Sequence, residues 1–188
     1  TFLLLLDFLI LVYSELLPSS KNPEKEGNTL FKIINLGRNK LLNDNNMVLG
    51  TANFYLFFDK KLTALNTVEN FLRVKKPDLN ILGLYLHLLV KTGKLGKASK
   101  AYKKILPLKK NWDFKIFKYI SSYHELNQDF KLGQKILEEG IKNYPKKVLL
   151  RLEVLKYYLR SGDVKKFERT LGYIRRLDAD KSPFFYSQ

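Results

Sequence analysis

The residues able to do chemistry are few, and their spacing suits none. Histidine occurs only at His87 and His124. Glu125 follows His124 directly, which builds no His-Glu-x-x-His zinc helix. His124 is expected to pack, and His87 to touch a ligand or stand exposed. Glu138-Glu139 and Asp178 with Asp180 are paired acids, but near neighbours on a helix point apart, so neither pair makes an acid–base dyad. Gly93 and Gly96 lack the preceding strand that a phosphate-binding loop requires. No Gly-x-Ser-x-Gly elbow or kinase-like motif set occurs. The absence of cysteine excludes thiol nucleophiles, disulfides, zinc fingers and iron–sulfur sites. The expectation is a protein that catalyses nothing and uses neither cofactor nor metal.

Charge is the unusual property. Thirty-four Lys+Arg against 18 Asp+Glu give a net +16 over 188 residues. Such a field favours anionic partners: nucleic acid, anionic lipid or an acidic protein. A Lys-, Asn- and Ile-rich composition set by codon bias is the alternative, although codon bias enriches Lys and Glu together. The densest stretch is Lys91 to Lys118, in which Asp113 is the one acid. Lys97, Lys100 and Lys104 fall on one helical face there, beside Tyr102, as a solvated face or a contact for phosphate or lipid headgroups.

The elements that must position these residues read as helices. Proline and glycine number only 6 and 10, and long windows carry no breaker. Residues 1–17 (TFLLLLDFLILVYSELL) are almost wholly apolar without a helical polar stripe. They read as a signal peptide, an anchor or a buried first helix, with Asp7 counting against the first two and the true start expected upstream of Thr1. A signal or anchor implies a periplasmic, secreted or membrane-associated protein with membrane contact through this segment; otherwise a cytoplasmic one. Residues 18–44 combine a polar linker with one amphipathic helix opening at Thr29, and residues 182–188 form a tail. Asn43 to Asn46 ends that helix and suits the N-cap of the next.

From Asn45 onward the chain repeats. Turn positions Asp59, Gly93, Gln128 and Gly162 are separated by 34, 35 and 34 residues, each between amphipathic stretches. A small residue follows inside the second stretch at Ala64, Ala98 and Gly133, replaced by Phe167 in the last unit. Tyr55 and Tyr158 occupy an aromatic slot late in the first stretch, with Leu89 and His124 standing in elsewhere. Pro145 closes one unit and Pro77 falls one residue late in another. This period and punctuation resemble the tetratricopeptide repeat, over units 45–78, 79–113, 114–147 and 148–181. The resemblance implies an all-α fold, a right-handed α-solenoid of about four antiparallel helix-turn-helix repeats behind the hydrophobic N-terminal segment. Phe167 marks the last unit as atypical, as a capping unit would be.

In such a stack the first helix of each pair lines a concave groove. The resemblance then places Asn53, Asn80, His87, Lys91, Lys115, Lys118, Lys156 and Arg160 on it, with Asn46, Leu49 and Ser122 beside them. Five cations there imply a scaffold binding an acidic protein or peptide. Pro77-Asp78 and the segment Lys91 to Ala98 also resemble a pentatricopeptide repeat, which implies the alternative of single-stranded RNA binding. Trp112, in a junction expected to be extended, plugs a gap between repeats or anchors a partner.

Overall fold

A computed structural model describes residues 44–179. The hydrophobic segment 1–17, the helix expected after Thr29 and the tail 182–188 lie outside these residues. Eight α-helices run through the described chain: α1 Asn45–Phe57, α2 Lys61–Val74, α3 Leu79–Lys91, α4 Leu95–Ile105, α5 Phe114–Leu126, α6 Phe130–Asn143, α7 Val148–Ser161 and α8 Val164–Ala179. There is no strand among the described residues. The chain divides into two compact units at Pro107 and Leu108. In the first, α1 pairs with α2 and α3 with α4, while α2 and α1 both pack on α3. In the second, α5 pairs with α6 and α7 with α8, with α6 and α5 on α7. The expected fold class holds: each unit is two helix-turn-helix hairpins.

Three of the four first helices begin on an aspartate. The Asp44 carboxylate accepts from Asn46 N at 2.7 Å, Asp78 from Ile81 N at 2.8 Å and Asp113 from Ile116 N at 2.9 Å. Each satisfies amide donors that the first helical turn leaves orphaned, in extended backbone that ends the preceding segment. Lys147 stands at the fourth start and makes no such bond.

The hairpin turns are equally regular. Asp59, Gly93, Gln128 and Gly162 all take positive φ, at 55°, 70°, 62° and 69°. Around each, two main-chain bonds close a Schellman motif, as in Asp59 N to Leu56 O at 3.0 Å and Lys60 N to Tyr55 O at 2.8 Å. The same pair recurs from Gly93 and Lys94 to Val90 and Leu89, from Gln128 and Asp129 to Glu125 and His124, and from Gly162 and Asp163 to Leu159 and Tyr158.

The core follows the slots of the repeat. Ala64 and Ala98 are fully buried, as are Val68 and Leu137, four residues beyond the small residues Ala64 and Gly133. At Gly133 an added Cβ would lie 2.8 Å from Tyr157 Oη and 3.2 Å from Ser121 O, so helices meet there with no room for a methyl group. Gly140, one heptad on, is closed just as tightly by Phe117 Cβ at 2.9 Å and Leu150 Cδ1 at 3.1 Å. Phe167 is only half-buried.

One expectation needs correcting. The junction before Asp113 is not extended: Leu106–Asn111 coils as a 3-10 turn, which Pro107 permits because a first-turn proline sacrifices no helical amide. Trp112 follows it and is 2% exposed, its ring edge-on to Phe117 at 5.3 Å, while its carbonyl accepts from Tyr144 Oη at 2.7 Å. It packs as a plug.

Candidate partner-binding faces

The anticipated contact residues all lie on first helices and all reach solvent. In the first unit Asn53 on α1 and Asn80 and Lys91 on α3 are exposed, and His87 is half-buried. Asn45 Nδ2 donates to Asp78 Oδ2 at 2.8 Å, which ties the start of α1 to the start of α3. In the second unit Lys115 on α5 and Lys156 and Arg160 on α7 are exposed, and Lys118 is half-buried.

The second unit shows what spacing along one helix did not reveal. Lys118 Nζ lies 2.9 Å from Glu153 Oε1, and Lys156 Nζ lies 3.3 Å from Glu153 Oε2 and 2.6 Å from Glu125 Oε2. Two of the four cations are thus drawn together by acids of the same face. Burial acts to raise the Glu153 pKa, but the hydrogen bond and charge of Lys118, helped by Lys156, outweigh it and hold the carboxyl below the ordinary range. Lys156 is held up: burial acts to lower its pKa, and the bond to Glu125 with the charge of Glu153 overcomes that. Lys115 and Arg160 have no acid partner among the described residues; Arg160 instead stacks its guanidinium 3.5 Å from the Phe130 ring centroid. The missed signal was the period itself, because Lys118 and Glu153 are 35 residues apart. Residues one period apart on successive first helices of a unit face each other.

Exposed aliphatic side chains stand among these cations. Leu152 and Leu159, at 51% and 65% exposure, lie seven residues apart on α7 with Lys156 between them. The face therefore offers apolar area with positive charge around it.

His124 sits in the aromatic slot, packed on Tyr123 with ring centroids 5.3 Å apart, and burial depresses its pKa against the pull of Asp129. No group of three or more metal-ligating side chains occurs among the described residues, and no described helix is long and apolar enough to cross a membrane.

MamA (residues 41 to end) from Desulfovibrio magneticus RS-1 matches with a TM-score of 0.63 at 8% identity, covering 93% of this chain and 97% of that one. A tetratricopeptide repeat protein from Parabacteroides merdae ATCC 43184 matches at 0.58 and 14% identity, covering 88% and 68%. The fold is tetratricopeptide-repeat-like. MamA MSR-1 matches as well, at 0.57 and 10% identity, covering 92% of this chain and 98% of that one. No family model matches the sequence, and no curated protein matches it.

Proposed function

We propose that this chain is a non-catalytic scaffold whose first helices hold an acidic segment of a partner protein. The observation that carries the reading is the second unit's face, where Lys115 and Arg160 present charge without an acid partner among the described residues, beside the exposed Leu152 and Leu159. A peptide of acidic and apolar residues complements such a face in both charge and area. Asn53, Asn80, His87 and Lys91 would supply hydrogen bonds and charge to the first unit's own face. The repeats would occupy 45–181, behind the hydrophobic segment 1–17 and the linker with helix 18–44. If that segment is a signal or anchor, the scaffold works outside the cytoplasm or at a membrane.

The test is binding of a fluorescent peptide of alternating Glu and Leu, measured by anisotropy at low and physiological salt. Replacing Lys115 and Arg160 with Glu should weaken binding by at least tenfold at low salt, since each reversal turns an attraction into a repulsion. Unchanged affinity removes these residues from the site. The pentatricopeptide-like reading rests on Pro77-Asp78 and the segment Lys91 to Ala98 and is favoured by the net charge of +16; a gel shift with random single-stranded RNA tests it: retardation that weakens steeply with salt would favour it.

A further inference from the structure

We propose that the outer face of α4, with the end of α2 beside it, is a docking surface for an anionic membrane. It is a second site, independent of the first-helix faces. The 11-residue helix α4 buries Ala98, Ala101 and Ile105 on one side and carries Lys97, Lys100, Lys103 and Lys104 on the other. At 3.6 residues per turn these lysines spread over an arc of about 120°, so one side of the helix is wholly cationic. All four are exposed, and α4 contains no acid. Among the described residues only Lys97 has a carboxylate partner, Glu69 of α2 at 2.7 Å. Arg73, Lys75 and Lys76, all exposed, follow at the C-terminal end of α2. One acid thus answers seven cations.

Two observations favour lipid over nucleic acid. Aliphatic side chains stand out among the charges: Val74, between Arg73 and Lys75, is 65% exposed, and Leu106, just past Lys104, is 44% exposed. Exposed apolar groups next to cations gain by entering the headgroup–acyl boundary and gain nothing from a phosphodiester backbone. Single-stranded nucleic acid, in turn, needs aromatic platforms for its bases, and the one aromatic of α4, Tyr102, is half-buried.

The experiment is co-sedimentation of the full chain with vesicles of phosphatidylcholine alone and of phosphatidylcholine mixed with phosphatidylglycerol. Any contribution from the apolar segment 1–17 is common to both vesicles, so the ratio of the two partition coefficients isolates the electrostatic part. The ratio should exceed one, fall with salt, and drop roughly 25-fold in the Lys100→Gln/Lys104→Gln variant, about fivefold per lysine. It should survive in Lys131→Gln/Lys135→Gln, which removes the same charge from α6. Circular dichroism checks that both variants keep their helix content. The proposal is overturned if the wild-type chain shows no preference for the anionic vesicles, or if both variants lose it equally, which would make it a property of net charge. Oligouridylate RNA bound through Lys100 and Lys104, without any preference for anionic vesicles, would assign the face to RNA and overturn it too.

Discussion

Gly133 has a hydrogen atom where Tyr157 leaves no space for carbon. Replacing glycine with alanine inside a helix ordinarily gains about 1 kcal/mol. Here the new Cβ would stand 2.8 Å from a phenol oxygen and 3.2 Å from a main-chain carbonyl. Neither can retreat easily, since Tyr157 Oη is itself bonded to Ser121 Oγ at 2.8 Å. Overpacking of this kind costs about 1–3 kcal/mol, so the clash should win. Gly133→Ala is expected to lower the urea midpoint by the equivalent of about 1 kcal/mol. Adding Tyr157→Phe should recover part of the loss, because it deletes the nearest atom. A Gly133→Ala protein as stable as the parent would show that the helices do not meet this closely.

At the level of the helix and its turn, three residue types fill a backbone position that favours one. Gly93 and Gly162 suit positive φ at no steric cost, whereas Asp59 and Gln128 are held there by the turn around them. Gln128 is the more strained of these, since aspartate tolerates the left-handed region better than glutamine. Gln128→Gly is therefore expected to stabilise the chain by about 1 kcal/mol, read as a rise in melting temperature; no change would mean the turn relaxes without help. These turns were legible in the sequence as a 34–35-residue rhythm, as were the small slots at Ala64, Ala98 and Gly133. Gly140 was not, although it follows Gly133 by seven residues and so shares its helical face. The capping aspartates Asp44, Asp78 and Asp113 form a second series with the same rhythm, of which only the first stands out in a run of cap-forming residues. The acids Glu125 and Glu153 escaped for a different reason. Apart from the Glu153–Lys156 pair within α7, their partners lie on another helix, and pairing across helices depends on how far one is slid along its neighbour, which no single helical wheel contains.

For the chain as a whole, the few acids carry unusual weight. Glu69, bonded to Lys97, and Glu153, bonded to Lys118, keep pKa values below the ordinary 4.5. The stability tied to their charge is complete above 4.5 and is lost as pH falls through their lowered values. His124 is held below its ordinary 6.5, so the unfolded chain takes up that proton first and stability begins to fall below 6.5. Urea midpoints measured on either side of 6.5 and of 4.5 should descend in two steps, and His124→Leu should flatten only the upper one. An upper step that persists in this variant would place its origin elsewhere.

The bends have a consequence for tolerance of sequence change as well as for stability. Each is fastened by amide and carbonyl groups that every residue brings, so the clasp does not depend on which side chain sits over it. Aspartate, glycine and glutamine have all been accepted at one and the same corner. A chain clasped in this way can exchange most of its letters and keep its fold, which is how a fold like that of proteins at 8% and 14% identity can be built from different residues.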